Sequence, residues 1–309
     1  MVDAATVERV LDFPSLVAAL DAAFRDGRDV PLRHHHVIPQ PTGRDAMLLL
    51  MPAWSARGPV GIKIVTVYPD NRSHGLSGVL GTYLLLDGAT GAPRAVIDGT
   101  MLTRRRTAAA SALAASRLAR KDARRMVMVG TGALAPHLVH AHAAMRPIRE
   151  VAVWGRRPAA AAALARRLAD DGFEARAVDD LAAAVAAADL VTCATPSTEP
   201  LVRGAWLRPG THVDLVGGFT PTMREVDDEA VGRARVFVDT RADALHEAGD
   251  LIQPIRRGTI TEAAVIADLF DLARGKATGR RDDQEITLFK SVGTALEDLA
   301  AAELVLARA

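Results

Sequence analysis

The chain has 309 residues, 49% of them apolar and 24% charged, with a net charge of +1 at pH 7. That length suits about two domains, and so even a charge balance gives no reason to expect nucleic acid as a partner. Asp3, Glu8, Arg9 and Asp12 interrupt the first twenty residues, against a secretory signal, and no apolar run nears the roughly 20 residues that span a bilayer, so no membrane partner is expected.

In chain order, the first signal is His34-His35-His36. Adjacent residues of an extended strand point to opposite faces, and no carboxylate or cysteine cluster accompanies them, so no metal site is expected. Residues 47–51, 60–67 and 81–87 are strand-like runs separated by Pro, Gly, Asn and Ser, which predicts a sheet-rich first domain. Lys63 stands inside one of these runs. It reads either as an exposed strand residue or as a buried cation that must meet an anion. A long alanine-rich helix is expected over 103–120; it carries Arg104, Arg105 and Arg106, which at about 100° per residue cannot share one direction. One of them is expected to face a ligand and the others solvent.

From about residue 121 to 240 short apolar runs alternate with alanine-rich helical ones, the pattern of a parallel sheet with crossover helices. The candidate strands are 125–129, 151–154, 174–178, 190–194, 212–216 and 236–239, enough for two mononucleotide-binding halves. The helix 158–170 starts on a proline, where the missing N–H costs nothing, and Asp179 or Asp180 is placed to cap a helix over 181–188. Cys193, the only cysteine, cannot form an internal disulfide, which fits a reducing cytoplasm. It lies in a strand-like run and reads as a small buried residue. The amphipathic segment 291–309 is able to pack back on the first domain and make that domain discontinuous.

The most specific local signal is Gly130-Thr131-Gly132-Ala133-Leu134-Ala135 directly after the strand 125–129. The first glycine permits a tight turn, the second lets the backbone approach a pyrophosphate, and a small third residue lets helix and strand pack closely. At the end of the next strand, where a carboxylate would hold a free ribose 2′-hydroxyl, stand Gly155, Arg156 and Arg157. Guanidinium groups there suit a 2′-phosphate, so NADPH is expected over NADH, unless the two arginines are simply solvated turn residues. Thr195, Val216 and Gly217 fall at strand carboxyl ends, where the nicotinamide half binds in doubly wound sheets.

Motifs along nearly the whole chain resemble the ornithine cyclodeaminase and mu-crystallin superfamily. They are Gly61-Ile62-Lys63-Ile64-Val65, the run 98–111 with Thr103-Arg104-Arg105-Arg106-Thr107, Val129-Gly130-Thr131-Gly132, the run 212–225 and the run 286–298. The resemblance implies a doubly wound dinucleotide domain, residues 119–287, inserted in a discontinuous α+β domain, 1–118 with 288–309, that binds substrate and forms a homodimer. It also implies that Arg33, Lys63 and Arg106 hold a substrate carboxylate, that Arg106 and Thr107 contact the cofactor, and that Ser291 and Val292 lie at the nicotinamide and substrate.

Cyclodeaminases of this family place an aspartate directly after the Val-Gly-Gly turn, where it handles the substrate amine. This chain has Phe219, which cannot exchange protons, and Met223 replaces a nearby lysine. The form 218–225 resembles the branch that reduces cyclic imines, the Δ1-pyrroline-2-carboxylate and Δ1-piperideine-2-carboxylate reductases. Expected chemistry is therefore hydride transfer to a small cyclic imine carboxylate, with Lys63 handling the imine proton and Phe219 against the ring carbons. Glu225 and Asp227 read chiefly as helix-start residues. The competing readings are ornithine cyclodeaminase itself, an amino-acid dehydrogenase, and a catalytically silent NADPH-binding protein.

Overall fold

A computed structural model of the chain describes residues 1–56 and 58–309, and at Arg72 the backbone only. Packing divides it into two compact units: unit 1, residues 1–107 with 294–309, and unit 2, residues 108–293.

Unit 1 opens with two helices, α1 (Ala4–Val10) and α2 (Phe13–Asp26), each started by an aspartate. Asp3 accepts from Thr6 N at 2.8 Å and Asp12 from Ser15 N at 2.9 Å, satisfying amides that a helix leaves unpaired at its start. An antiparallel meander follows, β1 (His34–Ile38), β2 (Ala46–Trp54), β3 (Val60–Val67), β4 (Val79–Leu86) and β5 (Pro93–Asp98), in the same order in space as in sequence. The helix α3 (Gly99–Leu118) leaves β5, and α11 (Ala295–Arg308) returns from the far end of the chain to pack on α2, β2 and β3. The strands β2, β3 and β4 match the expected runs. The strand β1 lacked a readable signal because it is an edge strand with both faces exposed, so burial imposes no alternation on its sequence. His34 and His36 share one face of it, ring centroids 6.3 Å apart.

Gly61 and Lys63 point inward from β3, and Tyr83, paired with Lys63 in the register, fills the space over Gly61. A Cβ at position 61 would lie 1.9 Å from the Tyr83 hydroxyl oxygen.

Unit 2 is a parallel sheet wound on both faces by helices. In chain order it runs β6 (Arg125–Val129), α4 (Ala135–Met145), β7 (Glu150–Trp154), α5 (Pro158–Asp170), β8 (Glu174–Ala177), α6 (Leu181–Ala187), β9 (Leu190–Cys193) and β10 (His212–Leu215). It continues with α7 (Asp228–Arg233), β11 (Arg235–Val238), α8 (Arg241–Glu247), α9 (Gly249–Arg256), β12 (Val265–Asp268), α10 (Leu269–Ala273) and β13 (Thr287–Lys290). The spatial order is β12-β11-β13-β10-β9-β6-β7-β8. The chain reverses direction across the sheet at β6, between β7 and β9, and ligands of such sheets bind at the carboxyl ends of the strands beside that point.

One expectation needs correction. The run 236–239, expected as the sixth strand, does form β11, but β13 lies between it and β10. The two packing units divide after Thr107, inside α3, and after Gly293. The strand order follows from burial: Thr287, Leu288, Phe289 and Lys290 are fully buried, and a strand buried on both faces belongs in the middle of a parallel sheet.

A polar network stiffens the centre of unit 2. Asp214 on β10 accepts from Ser111 at 2.9 Å and lies 3.0 Å from Nε2 of His142 on α4, all fully buried. Asp239 accepts from Val292 N at 2.8 Å and Gly293 N at 2.6 Å, fixing the chain after β13. No described helix is long and apolar enough to cross a membrane.

Gly61→Ala is expected to lower stability by about 1–3 kcal/mol through overpacking against Tyr83. Thermal denaturation of the variant beside the wild type measures it; an unchanged midpoint would show that the Tyr83 ring moves freely.

Candidate active site

In unit 1 the site is built where β3, α3 and α11 meet. The α11 helix is capped by Thr294 and carries Glu297 and Asp298 in its first turn, where the helix dipole favours negative charge. Asp298 Oδ2 lies 2.6 Å from Lys63 Nζ, and its Oδ1 accepts from Arg106 Nε at 2.8 Å. Glu297 Oε2 accepts from Arg106 Nη1 at 2.6 Å. Lys63 is 2% exposed and both acids are fully buried. Lys63 is therefore the buried cation, and the anion it meets is the chain's own Asp298.

Charge and burial compete here. Burial pulls the Lys63 ammonium down to about 8, helped by the positive charges of Arg106 and Arg33, while Asp298 works the other way. Burial also works against the Arg106 guanidinium, yet Asp298 and Glu297 outweigh it and hold the group above its ordinary value. Burial opposes the Asp298 carboxylate, and Arg106 and Lys63 more than compensate, leaving it below the usual range. Burial, with the negative charges of Asp298 and Glu303, pushes the Tyr83 phenol up. The structure thus brings Lys63 and Arg106 onto one carboxylate and places Arg33, half-buried just before β1, near enough to act on Lys63.

The three consecutive arginines separate differently from expectation. Arg105 is buried beside Arg106: its Nε donates to Leu11 O at 3.0 Å and its guanidinium stacks 3.7 Å from the Phe13 ring centroid. Arg104 is half-buried, as is Thr107.

In unit 2 the turn after β6 has the features a pyrophosphate needs. Gly130 has φ +119°, and a Cβ there would meet the Ala194 carbonyl oxygen at 2.6 Å. At Gly132 a Cβ would meet nothing within 4 Å, so the backbone is open to a ligand. Ala135, the first residue of α4, is fully buried, and Leu134 before it supplies no side-chain cap. Amides at such a helix start suit an anion. Thr131 and Ala133 complete the turn. Gly155 follows β7 so closely that a Cβ would lie 2.7 Å from Thr131 Cγ2, while Arg156 and Arg157 are exposed and form no ion pair among the described residues. This turn fits a dinucleotide.

At the carboxyl ends of β9, β10 and β13 the structure places Thr195, Val216, Gly217, Ser291 and Val292. Val216 is buried, its amide donating to Cys193 O at 2.9 Å, and Ser291 is buried with its amide on Leu215 O at 3.1 Å. Val292 packs on the apolar core of unit 2. Phe219 is 52% exposed on unit 2 and takes no part in that core.

Beneath Gly217 lies a group that sequence reasoning missed. Glu225, Asp250 and Lys290 are fully buried together. Glu225 accepts from Thr195 N at 2.7 Å, Thr195 Oγ1 at 2.9 Å and Gly217 N at 2.8 Å. Burial raises its carboxyl to about 7, opposed by the charge of Lys290. Glu225 is thus no helix-start residue. Asp227 is: it caps α7 through Ala230 N at 2.9 Å. Nothing local distinguishes the two in sequence.

The family model of the ornithine cyclodeaminase/mu-crystallin family matches residues 1–309. The chain belongs to this family. It is 43% identical to a Δ1-pyrroline-2-carboxylate reductase of Paracoccus denitrificans, over 89% of each chain. Among solved structures it resembles the Δ1-pyrroline-2-carboxylate reductase of Thermococcus litoralis, in complex with NADH and L-proline, with a TM-score of 0.93 and 33% identity, covering 99% of this chain and 96% of the other. An archaeal alanine dehydrogenase dimer with bound NAD gives a TM-score of 0.91 at 30% identity, covering 99% and 94%. Family membership accords with the motifs read from the sequence, from Gly61-Ile62-Lys63 to the run 286–298.

Asp298→Asn is expected to cost about 3 kcal/mol, because it leaves two buried cations short of a counter-charge. The urea midpoint at constant slope measures it, and a change under 1 kcal/mol would mean that water replaces the carboxylate.

Proposed function

We propose that the chain is an NADPH-dependent reductase of a cyclic ketimine carboxylate, Δ1-pyrroline-2-carboxylate or Δ1-piperideine-2-carboxylate, yielding the cyclic amino acid. What carries this reading is the 43% identity, over 89% of both chains, to a reductase of that imine. Phe219, in place of the acid that cyclodeaminases use, supports it.

In this reading the substrate carboxylate is bound by Arg33, Lys63 and Arg106. Asp298 and Glu297 engage Nε and Nη1 of Arg106 and one ammonium hydrogen of Lys63, so Nη2 of Arg106 and two hydrogens of Lys63 are left to donate. The acids also fix both cations in place before substrate arrives, and orientation of that kind is worth several kcal/mol. Lys63 holds the proton that the imine nitrogen takes, directly or through water, and regains one from solvent. Phe219 and Val292 take the apolar ring. A reduced nicotinamide, when bound, supplies the hydride for the C=N carbon; Gly130, Thr131, Gly132, Ala133 and Leu134 hold its pyrophosphate, with Arg106, Thr107, Thr195, Val216, Gly217 and Ser291 toward the nicotinamide.

The choice of NADPH rests on Arg156 and Arg157, exposed after β7 beside Gly155 with no carboxylate paired to them among the described residues, since the solved relatives named above hold NADH or NAD. A homodimer formed through unit 1 and a cytoplasmic location complete the proposal.

The deciding experiment follows oxidation of NADPH and NADH with five- and six-membered cyclic imine carboxylates, beside pyruvate with ammonia and ornithine with catalytic NAD. Turnover of ornithine to ammonia without net cofactor consumption, or of pyruvate alone, would reject the reading. In the imine reaction kcat/KM is expected to hold below pH 8 and fall above it as Lys63 loses its proton; Lys63→Arg, which keeps the charge but cannot give up a proton, should lower kcat at least tenfold and abolish that limb. Replacing Arg156 and Arg157 together by serine should raise the KM for NADPH at least tenfold and leave that for NADH within about twofold. Equal changes in both would sink the 2′-phosphate assignment.

A further inference from the structure

The three ionisable groups under the Gly217-Gly218 turn are used by no step above, yet the fold places all three in the interior of unit 2. Buried charge is costly, and apolar side chains of similar volume would stabilise the fold as well or better. Their arrangement shows where that cost is directed. Lys290, the last residue of β13, has its Nζ 3.1 Å from Asp250 Oδ2. The other oxygen of Asp250 accepts from the amides of Glu225 at 2.7 Å and Val226 at 3.2 Å, fixing the backbone that presents the Glu225 carboxylate. Both oxygens of that carboxylate are then spent on two neighbouring loops, Oε1 on the amide and hydroxyl of Thr195 after β9 and Oε2 on the amide of Gly217 after β10.

The two loops are in contact at the level of the backbone. A Cβ on Gly217 would lie 2.1 Å from the Thr195 carbonyl oxygen and 2.2 Å from its nitrogen, and one on Gly218 would lie 2.9 Å from Asp250 Oδ2 and 3.3 Å from Lys290 Nζ. Side-chain-free residues, a shared carboxylate and an ion pair thus fasten the carboxyl ends of two adjacent strands at one point. The amides of Thr195 and Gly217 are both directed to Glu225, so the conformation of the two loops depends on that one carboxylate.

We propose that Glu225 is a positioning residue for the nicotinamide end of the cofactor, acting through Thr195 and Gly217 and held in place by Asp250 and Lys290. This rests on the reading that the dinucleotide binds unit 2 with its nicotinamide at these strand ends. Glu225 touches neither cofactor nor substrate. It sets the separation and direction of the two loops that do.

The test separates the two halves of the ligand. Glu225→Gln keeps the volume, but its NH2 replaces one acceptor and faces an N–H donor of Thr195 or Gly217. Binding of NADPH and of 2′-phospho-ADP-ribose, which lacks only the nicotinamide, is measured on wild type and variant by calorimetry, with NADH and ADP-ribose in parallel. The expected result is a loss of at least tenfold for the complete cofactor and less than twofold for the truncated one. Thr195→Val, which removes the hydroxyl's bond to Glu225 at 2.9 Å and its longer contact from Ser197 N at 3.4 Å, should show the same selectivity at about threefold, and it decides the matter if the Gln variant does not fold. Equal losses for both ligands would mark Glu225 as a general support of the fold, and no loss would mark it as dispensable; either overturns the proposal. A wild-type chain that binds none of the four ligands would instead reject the cofactor reading itself, and the proposal with it.

Discussion

Asp298 reaches two cations from two directions, with Lys63 of β3 on one oxygen and Arg106 of α3 on the other. Remove the carboxylate and unit 1 holds two buried cations with only Glu297 to balance them. The return of α11 onto the sheet is therefore more than apolar packing of Leu296 and Leu299: it delivers the counter-charge without which β3 could not carry a lysine inward. The same constraint explains why the chain's last helix belongs with its first domain. Unit 2 obeys it with other residues, pairing Lys290 with Asp250 and giving Glu225 three donors.

How much of this was legible depended on whether the governing contact was local. The strand β6, the turn at Gly130 and the small Ala135 were readable because a tight turn, an open approach and close helix packing are demanded by residues within a few positions of each other. Strand order was not. The strand β13 takes its place between β10 and β11 through pairing with residues some fifty to seventy-five positions away, and no periodicity in 287–290 reports that. The strand β1 went unread because neither of its faces is buried.

The site divides in the same way. Lys63 declared itself as a charge in an apolar strand, yet which anion it meets needed the fold, because Asp298 sits 235 positions away in what reads as an ordinary helix start. Arg105 looked equivalent to Arg106 until Leu11 and Phe13 were seen to occupy it. Glu225 and Asp227 differ by two positions and look alike in sequence, but one caps a helix and the other joins two strand ends.

Cys193 ends β9 with no exposed surface, and burial together with the negative charges of Glu225 and Asp250 keeps its thiol protonated. As the chain's only cysteine, it is a native reporter in the middle of the parallel sheet. A thiol reagent in solution reaches it only when that sheet opens, so the rate of labelling is a clock for the opening of unit 2 alone, kept by the protein without any engineered probe.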